Sequence, residues 1–525
     1  MGATARKLPI GIQSFEKLRN EGFLYVDKTQ YIYRLVRAGS QYFLSRPRRF
    51  GKSLFLSALR AYWEGKKELF EGLDILELEA DNPEAWQPYP VFYFDFNGKN
   101  YQAQDALEAV LDKHLREWEA VYGGDGSRPL EERFQNLLKA ATAKTGKRCV
   151  VLVDEYDKSL LETIENPKLA EHNKAVFKGF FSTLKSYDEY LRFVFITGVT
   201  KFSKVSIFSD LNQLDDISLD LSYDAICGIT ENEMTTCFLP EIQAMAKEQE
   251  MAEEECLATL RKTYYGYHFH HKGTGVYNPF SLLNAFKKRE FGSYWFATGT
   301  PTFLVKRVSE IDLDVSGFID RTLYADEMTL TDYRAENPDP IPLLYQTGYL
   351  TICDYDAKLK LYTLGFPNEE VKNGFLKSLL QVYVPEAVSN TGKDVFALYR
   401  CIEKGDTEGV RSILMALFAG IPYTSAKNPF EHYFASVIYV VFVLLGIYVK
   451  CEVHSDKGRA DCIVETKDYV YIFEFKLDRS ARTALAQIEE KQYALPYAAD
   501  LRKLFKIGVN FASEARNITE WKVKE

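Results

Sequence analysis

Two groups of residues have the types and spacing to do chemistry. The first begins with Arg46-Pro47-Arg48-Arg49-Phe50-Gly51-Lys52-Ser53-Leu54. Such a loop grips phosphate. Gly51 lets the backbone approach an anion, Lys52 brings a point charge to the outer phosphates of a nucleotide, and Ser53 offers a hydroxyl to Mg²⁺. All nine positions are therefore candidate nucleotide contacts. The pattern G-x-x-x-x-G-K-[ST] asks for glycine where this chain has Arg46. Arg46, Arg48 and Arg49 are candidates for phosphate contact, or for the site of a neighbouring subunit. Further on, an apolar run Cys149–Val153 ends in Asp154-Glu155. The first carboxylate suits a Mg²⁺ ion and the second a general base that polarises an attacking water. Thr197, with Thr200 behind it, closes another apolar run and supplies a polar strand end.

The second group lies in the last hundred residues. Asp461-Cys462-Ile463-Val464-Glu465 and Tyr469-Val470-Tyr471-Ile472-Phe473-Glu474-Phe475-Lys476 read as a hairpin. A two-residue loop at Lys467-Asp468 pairs Thr466 with Tyr469 and sets Asp461 opposite Glu474. Opposed side chains have Cβ atoms ~4.5–5.5 Å apart, where like charges repel. A shared Mg²⁺ relieves that repulsion, since a hard cation takes carboxylate oxygens. Lys476 shares the face of Glu474 and suits orienting water or stabilising a pentavalent phosphate. Tyr471, Phe473 and Phe475 occupy the other face as core. Gln487 and Lys491, four residues apart on a following helix, are candidates to meet phosphate or ligand water. Glu431, near the start of an earlier helix, is a candidate for the same site. The bland alternative is a surface salt bridge between Glu474 and Lys476.

The loop at 46–54 needs a strand before it and a helix after it. Tyr42-Phe43-Leu44 and the helically spaced apolar residues from Ser53 to Trp63 provide both. Pro90–Phe96, Cys149–Val153 and Leu191–Gly198 are nearly continuous apolar runs, as in a parallel sheet buried on both faces. A weaker strand signal at Ile217–Leu221 closes that sheet. Amphipathic segments Gln102–Val121, Leu130–Ala143 and Glu171–Ser186 cover its faces. The result is a doubly wound α/β domain with ligand at the strand C-termini. Residues 8–40 hold a helix over Gln30–Ala38 capped by Asp27 or Thr29. They read as an adaptor on the sheet edge, with contact to a base or ribose as the alternative. Residues 222–425 read as mainly helical, with a helix end and a strand at Leu344–Ile352. His268, His270 and His271 would be split between the two faces of one strand, which argues against a metal there.

At 525 residues the chain has room for about three domains of ~150 residues. The boundaries read as 1–221, 222–425 and 426–525. The net charge of −9 gives no general argument for nucleic acid. Residues 1–60, however, carry 12 Lys/Arg against 3 Asp/Glu, so a basic excess surrounds the phosphate loop. Residues 427–525 are nearly neutral, with 15 against 14. Eight scattered cysteines without a C-x-x-C pair argue against zinc ribbons and disulfides, and for a reducing, cytoplasmic setting. Met1–Asn20 lacks the apolar core of a signal peptide. The uncharged run Tyr433–Val449 is short for a bilayer span and reads as a buried helix leading into a buried strand.

Taken together, the chain resembles a bacterial family of AAA-ATPase-like proteins with a C-terminal PD-(D/E)XK nuclease-superfamily domain. The resemblance runs over almost the whole length. It is carried by Gly11 with Tyr25-Val26-Asp27-Lys28-Thr29, by Arg46–Ser53, by Asp154-Glu155-Tyr156-Asp157, and by Gly458-Arg459-Ala460-Asp461 with Glu474-Phe475-Lys476. Arg46 in place of glycine is typical of that family. Ala460 stands where the superfamily motif has proline. The resemblance implies ATP as the nucleotide and a P-loop NTPase parallel-sheet domain. It implies a restriction-endonuclease-like α/β domain of α-β-β-β-α-β order, with Asp461, Glu474 and Lys476 as its triad and Gln487 as an accessory. The expectation is an ATP-binding, ATP-hydrolysing protein coupled to a Mg²⁺-dependent nuclease acting on nucleic acid, DNA above all, as a homo-oligomer and away from membranes. The alternative is a nucleotide-dependent switch or scaffold that binds nucleic acid or protein without cutting.

Overall fold

The computed structural model describes residues 6–201, 213–298, 304, 323–331, 339–383, 391–420, 430–446, 450–453 and 461–525. The chain divides into two compact units. One comprises Met1–Trp295 with Leu323–Glu370, the other Phe296–Thr322 with Val371–Glu525.

The first unit is built on a five-stranded parallel sheet. Its strands are β1 (Gln41–Ser45), β2 (Val91–Asp95), β3 (Cys149–Asp154), β4 (Leu191–Gly198) and β5 (Asp215–Asp216), in the order β2-β3-β4-β1-β5. All six β3 residues are buried, as continuous apolar strands require. Helices Ala106–Tyr122, Leu130–Thr145 and Pro167–Phe181 match the expected amphipathic segments. The weak strand signal at 217–221 is displaced. β5 pairs Asp215 with Tyr42 and Asp216 with Phe43, and Ile217 N still donates to Phe43 O at 3.0 Å. The Asp220 carboxylate then accepts from Ser222 N at 2.7 Å, and this local turn ends the strand.

The helix α1 (Phe15–Asn20) opens the described N-terminal segment, and α2 (Thr29–Ala38) follows. Asp27, not Thr29, serves the start of α2. One of its oxygens accepts from Thr29 N and the other from Asp74 N, each at 2.8 Å. The Thr29 hydroxyl accepts from Ile75 N instead. The helix α3 (Lys52–Trp63) begins directly after Gly51 and buries Phe55, Leu56, Leu59, Tyr62 and Trp63, one apolar stripe against the sheet.

Helices Glu231–Cys237, Leu239–Glu248, Glu253–Tyr264 and Pro279–Lys288 form a group around Met234, Phe238, Ile242, Met245, Leu260, Leu282 and Phe286. Leu8, Ile10, Leu24 and Val26 pack against that core. The middle region is not helical throughout. β6 (Ile229–Thr230) pairs with β7 (Val276–Tyr277), and β8 (Leu323–Ala325), β9 (Thr351–Asp356) and β10 (Leu361–Gly365) form an antiparallel sheet ordered β8-β10-β9. The helix end and strand expected at 344–352 are helix Ile341–Gln346 and β9. No strand carries the three histidines. His270 and His271 stack at 4.3 Å, and His271 stacks on Tyr355.

The second unit holds a mixed five-stranded sheet: β11 (Lys450–Val453), β12 (Cys462–Glu465), β13 (Tyr469–Leu477), β14 (Lys503–Ala512) and β15 (Asn517–Lys524), paired in that order. Only β13 and β14 run parallel, and helix Ala481–Glu490 makes their crossover. Helix Phe430–Leu445 covers one face through Phe442, whose ring lies 5.1 Å from Phe473. Ile488 and Tyr493 pack on Ile472 on the other face. Gly508 is required there, because a Cβ on it would lie 2.3 Å from Ala481 O. Helices Thr391–Glu403 and Thr407–Ala419 belong to this same unit, with Phe418 packed on Phe511. No helix among the described residues is long and apolar enough to cross a membrane.

Candidate functional site

The sheet order decides how the first site is assembled. β4 lies between β1 and β3, with Leu44 beside Thr197 and Val153 beside Ile196. The polar residues that end the three strands therefore meet at one edge. Thr197 Oγ1 donates to Asp154 Oδ1 at 2.9 Å. Ser53 also hydrogen-bonds that carboxylate, and Tyr93 Oη approaches Asp154 Oδ2 at 3.4 Å. Burial raises the Asp154 pKa above its ordinary value, against the lowering effect of the Ser53 and Thr197 hydrogen bonds.

A cavity of about 560 Å³ opens beside this edge, a size that suits a nucleotide. Arg48 through Phe55 form one wall, and Glu155, Lys158 and Glu162 form a polar rim. Gly51 sits at φ +100°, a left-handed conformation that a glycine adopts without steric cost. Lys52 Nζ donates to Arg46 O at 2.9 Å and to Pro47 O at 3.1 Å. Glu155 follows β3 at φ +50°. A non-glycine residue held there carries about 1–3 kcal/mol of backbone strain. Arg49 lies over the Phe280 ring at 4.0 Å, and Trp295 Nε1 donates to Arg48 O at 3.0 Å.

Two expectations need correction. The Arg46 side chain does not reach the cavity. It is 1 % exposed and donates to Ser45 O, Ser218 O and Tyr223 O. Pro47 is likewise outside the cavity lining; their carbonyls, not their side chains, meet Lys52. The N-terminal segment, read first as an edge adaptor, is also a cavity wall: Pro9–Gln13 and Leu24–Val26 line it, with Ile226–Ile229, Phe238, Phe280 and Leu283 from the helical group. Lys28 joins the two through Ala225 O (2.9 Å) and Glu233 (2.7 Å).

Asp157 was missed as a separate feature. It is fully buried and accepts from Val199 N, Thr200 N and Thr200 Oγ1, so it pins the end of β4. Burial raises its pKa against those hydrogen bonds. Gly198 permits the approach, since a Cβ there would lie 2.7 Å from both Asp157 Oδ1 and the Tyr156 ring. The signal was present as the third acid of Asp154-Glu155-Tyr156-Asp157.

In the second unit Cys462 pairs with Phe473, which brings Asp461 opposite Glu474 as the hairpin register required. Asp461 Oδ2 accepts from Phe475 N at 2.8 Å. Glu474 is 0 % exposed, and its Oε1 accepts from Lys476 Nζ at 2.8 Å. Its Oε2 is buried and has no hydrogen-bond partner among the described residues. Burial first, then the Asp461 charge, raises the Glu474 pKa, while Lys476 opposes them. The pair is thus no surface salt bridge. An unpartnered carboxylate oxygen beside a second carboxylate fits a hard divalent cation. No group of three or more His, Cys, Asp or Glu is placed to hold a metal among the described residues. Gln487 lies on helix Ala481–Glu490 and donates to Tyr493 Oη at 3.4 Å. Lys491 is exposed just beyond it. His454 and Gly458-Arg459-Ala460 lie outside the described residues, as does the side chain of Glu431.

Comparison with known proteins identifies the two regions. Residues 9–208 match the family described as "Predicted AAA-ATPase", and residues 429–521 match the PD-(D/E)XK nuclease superfamily. The chain is 37% identical over 532 residues, covering 99% of both chains, to an uncharacterized protein in the vnfD 5′ region of Azotobacter chroococcum mcd 1. No solved structure matches. These two matches and the relative alike over nearly the whole length place the chain in the family of AAA-ATPase-like proteins with a C-terminal PD-(D/E)XK nuclease-superfamily domain.

Proposed function

We propose that the protein binds and hydrolyses ATP in its first unit and cleaves nucleic acid, DNA above all, with Mg²⁺ in its second. The observation that carries the nuclease reading is the buried Oε2 of Glu474 opposite Asp461, which has no hydrogen-bond partner among the described residues. Burial of such an oxygen is costly without a ligand, so Asp461 and Glu474 are the residues that would hold the cation. Lys476, already bonded to Glu474, orients the attacking water or meets the scissile phosphate. Gln487 is an accessory on the neighbouring helix.

In the first unit Lys52 transfers from the Arg46 and Pro47 carbonyls to the outer phosphates. Residues 48–54 surround the phosphate chain. Ser53 and Asp154 would hold the nucleotide's Mg²⁺, Thr197 keeps Asp154 in place, and Glu155 polarises the water. Bound Mg²⁺ neutralises phosphate charge and activates oxygen nucleophiles. In this reading residues 1–221 form the ATPase domain, 222–425 the connecting region and 426–525 the nuclease domain. The protein works in the cytoplasm as a homo-oligomer.

The test is a Mg²⁺-dependent cleavage assay with Asp461→Ala as control. Cleavage by wild type and loss in the variant is expected; equal cleavage removes the nuclease assignment. Lys52→Ala tests the ATP site in parallel, where unchanged affinity and turnover remove that assignment. The near-neutral charge of residues 427–525 favours a second reading, a nucleotide-dependent switch or scaffold that binds without cutting, because strong binding to a phosphate backbone draws on a basic surface. ATP turnover without any cleavage is its signature.

A further inference from the structure

We propose that Arg46 is a positioning residue of the nucleotide site: its buried guanidinium, in place of a glycine, sets the shape of the phosphate loop. The inference rests on the ATP reading above and concerns how that site is held in shape.

Glycine is needed in a loop where the chain turns left-handed or passes too close for a Cβ. Within the loop those conformations occur at Arg49 (φ 67°) and Gly51 (φ 100°), not at position 46. Residue 46 still continues the strand, with Arg46 N donating to Gly198 O at 3.1 Å. Its backbone therefore leaves room for a side chain, and that side chain turns into the protein. Nη1 donates to Ser45 O at 2.9 Å and Ser218 O at 2.8 Å, and Nη2 donates to Tyr223 O at 3.1 Å. The guanidinium lies 4.0 Å from the centre of the Phe269 ring. That ring also meets Phe50 edge-on at 5.7 Å, so one aromatic side chain touches both ends of the loop. Pro47 is wedged as well, since a Cβ on Gly348 would lie 2.8 Å from Pro47 Cβ. The far end is tied by Gly228 N to Phe50 O at 3.0 Å.

These ties have a consequence at the site. With the side chain of Arg46 anchored on one side, the carbonyls of Arg46 and Pro47 face Lys52 Nζ on the other. The anchor needs a planar fork that serves several acceptors while stacking on a ring, which a lysine ammonium does not provide. Lys52 and the loop amides are thus held ready for phosphate by a side chain that does not touch the nucleotide.

The full-length chain carrying Arg46→Gly, which restores the glycine of the general pattern, decides the matter. ATP affinity is measured by calorimetry, with turnover and thermal melting alongside. The expected result is ATP binding weakened about tenfold or more, the scale of lost hydrogen bonds to a charged group, with Arg46→Lys recovering only part of it. Wild-type affinity and turnover in Arg46→Gly overturn the proposal. A merely structural role would lower the melting temperature while the folded fraction kept its affinity, and that outcome overturns it too. Should Arg46→Gly fail to fold, Phe269→Leu removes the stacking and keeps the arginine. A weakening of roughly threefold supports the proposal, and unchanged affinity sinks it. If wild type itself binds no ATP, or Lys52→Ala binds it equally, the ATP reading fails first and separately.

Discussion

Thr197 Oγ1 donates to Asp154 Oδ1 at 2.9 Å across two adjacent parallel strands. The two residues lie 43 positions apart in the chain. They meet because β4 is inserted between β1 and β3. This hydrogen bond holds one carboxylate oxygen while Ser53 hydrogen-bonds the same group, so the carboxylate is aimed before any nucleotide arrives. Thr197→Val keeps the volume and removes the donor. It should slow ATP turnover by about tenfold while leaving the fold intact, at a stability cost of about 1–3 kcal/mol for the buried carboxylate left short of a partner. Steady-state turnover and thermal melting on the same preparation check both parts.

Glu155 lines the cavity, is held at φ +50°, and is the general base of the proposed hydrolysis. Glu155→Gln is isosteric and keeps the backbone. ATP should bind within about twofold of wild type while hydrolysis falls about 10²–10⁴-fold, the contribution of a positioned base. A filter-binding assay showing that ATP is retained unhydrolysed is the signature; hydrolysis at the wild-type rate assigns the base elsewhere.

Glu474 gives a pH prediction. Its pKa is raised from 4.5 by burial and by Asp461. The contribution to stability is therefore full below about pH 4.5 and is lost as pH rises through the higher folded value, because the ionised form is the disfavoured one. In a metal-free buffer at pH 7, Glu474→Gln, whose amide oxygen can still accept from Lys476, should be at least as stable as wild type. The difference should vanish in acid. Added Mg²⁺ should raise the melting temperature of the second unit in wild type and not in the variant. Parallel melting curves at every pH would leave the buried carboxylate without the assigned role.

Gly198→Ala probes the tie between Asp157 and the end of β4. The new Cβ would lie 2.7 Å from a carboxylate oxygen and an aromatic ring, all of them buried. Overpacking of that kind costs about 1–3 kcal/mol. Because Thr197 is the preceding residue, ATP turnover should fall together with stability. Denaturant unfolding and turnover measured side by side test the link, and a stable variant with full turnover would show that the tie does not matter.

Much was legible in the chain itself. The continuous apolar run at 149–153 and the nearly continuous one at 191–198 announced buried parallel strands, since a strand covered on both faces carries apolar residues on both. Period-two alternation at 469–476, with a two-residue loop before it, sufficed to place Asp461 opposite Glu474. The loop at 46–54 carried its own signature in residue type. These features were readable because they depend on local spacing, which backbone geometry converts directly into faces and registers.

Other features required the tertiary structure. The direction of the Arg46 side chain depends on carbonyls at 218 and 223 and on the ring of Phe269, none of which is near it in sequence. The cavity needs residues 9–13, 24–26 and 226–229 with Phe238, Phe280 and Leu283 on one side and the phosphate loop on the other. Whether Glu474 is a surface partner of Lys476 or a buried group was settled by packing on its face of the sheet, where Ile488 and Tyr493 meet Ile472. Residue types and spacing determined which groups are chemically able and which of them share a face. Long-range packing decided which of those groups lose water, and loss of water makes a carboxylate or a guanidinium demand a partner.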